Sequence, residues 1–234
     1  MKRTAAVFDL FGTLVPNFPW AEHIAVLAEM AQLVGAPPRE FQSRWLDSFP
    51  LRATGVFPTV EANIEYVCDS LGVTPPPDAV LRAAKVRCEF TRVNFRPRAD
   101  AVDALTALKA AGIRLGLITD CSVEVPQLWP ETPFHPLFDA AVFSHVARLK
   151  KPDPRIYMLV CEHLHVLPAE CVYVGDGGSH ELSGAAKVGM YPVRLWVPDE
   201  NSGDTHRIDE EEWSGPQITD LREVLAFFTN SRAT

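Results

Sequence analysis

No stretch of this 234-residue chain approaches the roughly 20 consecutive apolar residues that a membrane-spanning helix needs, and the N-terminus lacks the apolar centre of a secretion signal. A cytoplasmic protein with no membrane partner is expected. Positive charge is also in short supply: 22 Lys and Arg against 30 Asp and Glu leave a formal net charge of -8. The basic footprint of a nucleic-acid binder is missing, so no nucleic-acid partner is expected. The five cysteines, Cys68, Cys88, Cys121, Cys161 and Cys171, show no CxxC spacing, and several sit inside apolar runs. They read as reduced, mostly buried thiols. Cys121 stands apart because it directly follows a strand-end Thr-Asp pair. Internal repeats and low-complexity segments are absent too.

What is present is an ordinary globular composition, 47% hydrophobic and 22% charged, on a chain long enough for one large domain or a domain with an inserted lobe. The organising stretch is its beginning. Ala5-Ala6-Val7-Phe8 is an apolar run of strand length that ends in Asp9, and Gly12-Thr13 signals a tight turn just beyond. A carboxylate at a strand mouth can be a nucleophile, a metal ligand or a turn cap. Residues 17 to 92 then read as helices only, one over residues 21–34, a second through Phe41 and Trp45 up to Pro50, a loop over 51–58, a third from the N-cap Thr59 to Gly72, and a fourth from Pro75-Pro76-Pro77 to about Phe90.

From Pro97 helices and strands alternate. A helix over 99–111 precedes the strand Ile113 to Ile118, which delivers Thr119 and Asp120. A Pro-rich loop and a short strand at 140–143 lead to Lys150-Lys151-Pro152-Asp153-Pro154, where Asp153 can cap the next helix. The strand Cys171 to Gly175 delivers Asp176, a short helix runs to Lys187, and Tyr191 to Val197 forms a last strand. An acidic, polar loop over 201–215 precedes a helix through Leu221, Val224, Leu225 and Phe228. Alternation of this kind predicts an α/β fold with a parallel sheet flanked by helices, which gathers ligands at the carboxyl ends of its strands. Asp9, Thr119 and Asp176 all fall at such ends.

Phe8-Asp9-Leu10-Phe11-Gly12-Thr13-Leu14 resembles the first motif of the haloacid dehalogenase-like hydrolase superfamily. The strand ending in Thr119, the Lys151-Pro152-Asp153-Pro154 segment and Val174-Gly175-Asp176-Gly177-Gly178-Ser179-His180-Glu181 match its other motifs in order. The resemblance implies a Rossmann-like core over residues 1–16 and 93–234 and an all-helical cap over 17–92 that closes over the site. It implies an Asp9 nucleophile that forms an aspartyl-phosphate, Thr119 holding a phosphoryl oxygen, Lys151 balancing charge, and Asp176 and Glu181 in the acidic fourth motif. Asp120 stands where Asn is frequent. Several carboxylates in one cleft raise each other's pKa unless a cation neutralises them, which points to Mg2+ on Asp9, the Phe11 carbonyl, Asp176 and Glu181. Among cap residues Trp20, His23, Arg44, Arg52 and Arg87, the choice for a substrate contact is Arg52, placed in the 51–58 loop. Lys150 reads as a solvated neighbour and His180 as a surface histidine.

One departure stands out. Phosphatases of the family carry a second Asp two residues after the nucleophile, as general acid and base, and this chain has Phe11 there. Three accounts stay open: another group or the substrate supplies the proton, the leaving group is already good, or the reaction is not ordinary phosphate-ester hydrolysis. The leading reading is a Mg2+-dependent phosphatase of a small phosphorylated metabolite. The alternatives are a 2-haloacid dehalogenase-like hydrolase, whose family members favour an aromatic residue at the Phe11 position, and a degenerate ligand-binding member. Oligomeric state is not readable, and a homodimer stays open.

Overall fold

A computed structural model describes residues 2–198 and 211–229. Its centre is a six-stranded parallel sheet of β1 (Ala5–Phe8), β2 (Arg114–Thr119), β3 (Ala140–Phe143), β4 (Cys171–Gly175), β5 (Tyr191–Leu195) and β6 (Gln217–Ile218), in the order β3-β2-β1-β4-β5-β6. The strand side chains alternate between two cores, as a sheet buried on both faces requires. Ala6, Phe8, Leu115, Leu117, Val172 and Val174 enter one, and Ala5, Val7, Ile118 and Tyr173 enter the other. Winding runs from β1 through β2 to β3 and resumes from β4 on the other side of β1. The switch point therefore lies between β1 and β4, where Asp9 N donates to Val174 O at 2.9 Å.

Between β1 and β2 the chain forms α1 (Trp20–Val34), α2 (Pro38–Asp47), α3 (Phe49–Ala53), α4 (Val60–Ser70), α5 (Pro77–Val93) and α6 (Ala101–Ala110). The helices α1, α2, α4 and α5 share a core of their own, in which Leu27, Met30, Trp45, Ile64 and Val80 are almost fully buried. Val123, from the loop after β2, packs into that core and joins the helical cap to the sheet. Local chemistry sets the ends. Gly35 adopts a left-handed φ of 71° and closes α1, and the Thr59 hydroxyl accepts from Ala62 N at 3.1 Å to open α4. The remaining helices are α7 (Glu124–Leu128), α8 (Ser144–Ala147), α9 (Pro154–Leu164), α10 (Glu181–Lys187) and α11 (Ala226–Thr229). Asp153 caps α9, its side chain accepting from Arg155 N.

Several expectations need correction. The 51–58 loop begins as the helix α3, because Pro50 falls in its first turn, where the missing N–H has no acceptor to lose. The Pro-rich stretch after β2 contains α7 by the same device, with Pro126 in its opening turn. The short α8 and the two-residue β6 carry too few residues for a periodic signal. β5 ends at Leu195, short of Val197, and the C-terminal helix is a 3-10 segment, Leu221–Leu225, before α11. Of the loop expected over 201–215, residues 201–210 lie outside the described residues. No helix among the described residues is long and apolar enough to cross a membrane.

Candidate active site

The carboxyl ends of β1, β2 and β4 deliver Asp9, Thr119 and Asp176 to one cleft of about 90 Å3, lined also by Phe11, Asp120, Lys151 and Glu181. Of the eight residues singled out in the sequence, seven are brought together here and Arg52 is not. The turn after Asp9 is pinned from below, as Arg98 donates to Thr13 O at 2.8 Å and to Gly12 O at 2.9 Å. Gly12 itself has φ of 87°, and a Cβ there would stand 2.2 Å from Asp176 Oδ2. Glycine is thus required both by conformation and by the close approach of the turn to Asp176.

Lys151 Nζ donates to Asp9 Oδ1 at 2.5 Å and to Glu181 Oε2 at 2.6 Å. The Tyr173 hydroxyl also donates to Glu181 Oε2, at 2.8 Å, and Gly177 N donates to Oε1 at 3.0 Å. Both oxygens of Glu181 are therefore engaged, and the residue is fully buried. Asp9 and Asp176 have both oxygens engaged as well. Asp9 Oδ2 accepts from Thr13 Oγ1 at 3.2 Å, while Asp176 accepts from Asn17 Nδ2 and Gly178 N, each at 3.0 Å. Asn17, Tyr173 and Thr13 escaped the sequence reading. Thr13 lies inside the first motif and could have been found by it, but Asn17, between Pro16 and Phe18-Pro19, carries no motif signal.

The electrostatics of the cleft are dominated by burial. Burial raises the Asp9 carboxyl to about 6, Lys151 opposing and Asp176 adding to the rise. Burial likewise raises Glu181 well above the carboxylate range, with Lys151 opposing and Asp9 and Asp176 adding. Burial pulls on the Lys151 ammonium from the other side, yet Asp9 and Glu181 outweigh it and hold Lys151 well above its usual value. Asp120 Oδ1 accepts from Lys151 N at 3.0 Å, while its Oδ2 is buried with no partner, and burial raises this carboxyl as well. The Thr119 hydroxyl is buried and also lacks a protein partner. Four carboxylates, three of them on buried residues, thus face a single ammonium in the cleft. Ligand oxygens of Asp9, Asp176 and Glu181 lie within 4.8 Å of one another, and this donor set suits a hard divalent cation such as Mg2+.

Arg52 lines a second, larger cavity of about 510 Å3, which shares Phe11, Asn17, Phe49 and Asp120 with the cleft. It is a buried helix residue, not the loop residue expected. Arg87, His23, Cys121 and the half-buried Lys150 line the same cavity. Arg44 and His180 are exposed and line neither space, and Trp20 lines neither. Four cysteines are buried and Cys88 is half-buried, all as free thiols.

The haloacid dehalogenase-like hydrolase family matches residues 4–189. The chain is 29% identical to a glyceraldehyde 3-phosphate phosphatase of Methanopyrus kandleri over 57% of its own length, and spans 58% of that relative. It is 27% identical to an (S)-2-haloacid dehalogenase of Pseudomonas fluorescens, covering 84% of this chain and 85% of the relative. In three dimensions it is similar to an L-2-haloacid dehalogenase of Xanthobacter autotrophicus, with a TM-score of 0.64 at 20% identity over 98% of this chain and 99% of that one. With most of its length inside the family match and the same α/β architecture, the chain belongs to the haloacid dehalogenase-like hydrolases and is a hydrolytic enzyme.

Proposed function

We propose that this protein is a Mg2+-dependent phosphatase of a small phosphorylated metabolite. The observation that carries the reading is the excess of buried carboxylates over Lys151 beside Asp9, which a divalent cation and a phosphoryl group together would balance. Asp9, Asp176 and the Phe11 carbonyl would hold the ion, with Glu181, fully buried and bonded by Lys151, Tyr173 and Gly177, serving to fix Lys151. When bound, Mg2+ lets an anionic nucleophile approach an anionic phosphoryl group. In this reading the core is residues 1–16 and 93–234, and the cap is 17–92.

An Asp9 carboxylate oxygen attacks phosphorus, the bond to the leaving oxygen breaks, and water later cleaves the aspartyl-phosphate to release phosphate and free Asp9. Thr119 Oγ1, buried and without a protein partner, donates to a phosphoryl oxygen. Lys151 keeps its proton and offsets charge on Asp9 and the transferring group. The Phe11 ring cannot move protons, so the leaving oxygen needs another acid. Asp120 can act as that acid, since its Oδ2 is buried and unpartnered, burial favours its protonated form, and it lines both the cleft and the larger cavity.

A second reading is favoured by one observation. Phe11 packs against Phe18 and Phe95, at 4.8 and 5.7 Å between ring centroids, and gives the site an aromatic wall suited to displacement of halide from an alkyl carbon. Turnover of p-nitrophenyl phosphate separates the two. Activity that needs Mg2+, stops with EDTA and is lost in Asp9→Asn supports the phosphatase. Halide release from 2-haloacids in EDTA, with no phosphate released under any condition, replaces it with the dehalogenase.

A further inference from the structure

The larger cavity contains a charge imbalance that the phosphatase chemistry leaves unexplained. Arg52 and Arg87 are 5% and 4% exposed, and Glu124, beside them, is 2% exposed. Arg87 Nε donates to Glu124 Oε1 at 3.0 Å, and the Ser122 hydroxyl donates to the same oxygen at 3.1 Å. Arg52 has only neutral acceptors: its Nη1 donates to Trp45 O and, at 2.9 Å, to Ser48 Oγ. Its Nε is buried with no partner. Trp45 and Phe49 lie against the guanidinium, at 4.6 and 5.4 Å from its carbon to the ring centroids. Burial and the neighbouring Arg87 lower Arg52 to about 9, which leaves it a cation at neutral pH.

Two buried guanidiniums therefore share one buried carboxylate, and an uncompensated buried charge is costly unless something else completes it. The acidic groups lining the cavity, Asp47 and Asp120, do not bond Arg52. Asp47 is exposed and accepts from Ser43, and Asp120 accepts from Lys151 N beside the cleft. Lys150 adds positive charge rather than removing it.

We propose that Arg52, backed by Arg87, binds a carboxylate of the substrate, so that the substrate class is a phosphate monoester of a small hydroxy acid. Arg52, a buried guanidinium with no carboxylate bonded to it, calls for one anion, and the planar fork of Arg suits a carboxylate. The phosphate occupies the cleft, the carbon chain passes Phe11 and Phe49, and the carboxylate reaches the inner wall of the cavity. The hydrolytic step rests on the phosphatase reading, but carboxylate recognition does not.

The test compares 3-phosphoglycerate with glycerol 3-phosphate, which differ by carboxylate against hydroxymethyl, on the full chain with Mg2+. The expected kcat/KM ratio favours the acid by about tenfold to a hundredfold, the range for a buried charge-assisted hydrogen bond. In Arg52→Gln the ratio falls toward one through KM for the acid, and in Arg52→Lys it is intermediate. A ratio near one in the unaltered protein, or one that survives in Arg52→Gln, overturns the proposal. So does a preference for fructose 1,6-bisphosphate over both, which would assign the cation to a second phosphate. If Arg52→Gln does not fold, Arg52→Lys and calorimetric binding of the same two compounds to Asp9→Asn decide the matter. Binding that discriminates without turnover keeps this proposal and removes the phosphatase reading, while hydrolysis of both compounds without discrimination does the reverse.

Discussion

Lys151 and Glu181 form an ion pair, Nζ to Oε2 at 2.6 Å, with 4% and 1% of their side chains exposed. Asp9 completes the arrangement on the other side of the ammonium at 2.5 Å. Glu181→Gln preserves shape and removes one charge, leaving Asp9 as the one carboxylate in direct contact with the buried lysine. Loss of one partner of a buried pair costs about 3–5 kcal/mol, and urea unfolding should show a drop of that order together with lost turnover. Tyr173→Phe removes one of three donors to Glu181 and should cost only about 1 kcal/mol. Equal losses in the two variants would mean that the ion pair is not what holds Lys151.

The closeness of Gly12 to Asp176 makes a second variant informative. In Gly12→Ala the new methyl stands 2.2 Å from Asp176 Oδ2 and 2.6 Å from Asn17 Nδ2, at φ of 87°. The backbone strain alone costs about 1–3 kcal/mol. Displacement of Asp176 should raise the Mg2+ concentration for half-maximal activity by about tenfold, the lower end for lost support of a metal ligand. Unchanged Mg2+ dependence in a folded variant would remove Asp176 from the ion's coordination.

Stability in EDTA should fall as pH rises from about 4 to about 6. The Asp9 carboxyl lies at about 6 in the folded chain against an ordinary 3.8, so between these values the native state holds more protons than the unfolded state. Stability tied to the protonated group is then lost as pH climbs through the folded value. Glu181, also raised, acts with the same sign, while Glu124, which Arg87 holds below its usual range against the pull of burial, contributes stability that is lost on acidification. The difference between the unaltered protein and Asp9→Asn isolates the Asp9 part. Thermal melts across this range in EDTA and in Mg2+ check it, and the slope should flatten with the ion, which favours the ionised carboxylate.

Strand-end residues were legible because a buried parallel strand writes itself as a short apolar run, and the residue that stops the run is the one at the mouth of the site. Asp9, Thr119 and Asp176 were placed in that way. Lys151 and Glu181 were found only through motif context, since a lysine in a loop and an acid in a short helix carry no periodic signal. The misplacement of Arg52 has a definite cause: Gly55 and two prolines suggested a loop, but Pro50 opens a helix instead of breaking one. Its position beside Arg87 and Glu124 could not be read at all, because the two arginines are 35 positions apart and the carboxylate comes from a helix beyond β2. The two uses of Glu181, as a metal ligand or as the anchor of Lys151, are indistinguishable in sequence; the hydroxyl of Tyr173 tips the geometry toward the anchor.

Proton supply to the leaving group gives the sharpest test, because two positions compete to provide it. Asp120→Asn removes the acid but keeps an oxygen able to accept from Lys151 N at the present 3.0 Å contact. General acid assistance contributes about 10²- to 10⁴-fold, so kcat on a poor leaving group such as glycerol should fall by about 10² or more, and on p-nitrophenolate far less. Phe11→Asp supplies a carboxyl beside the nucleophile at the expense of ring contacts with Phe18 and Phe95. It should raise turnover of the poor leaving group and, combined with Asp120→Asn, should shrink the loss caused by that change. Additive effects in the double variant would show that the two positions do not serve the same proton. Loss of p-nitrophenyl phosphate activity equal to loss on the alkyl ester would assign Asp120 to positioning Lys151 instead of to acid catalysis.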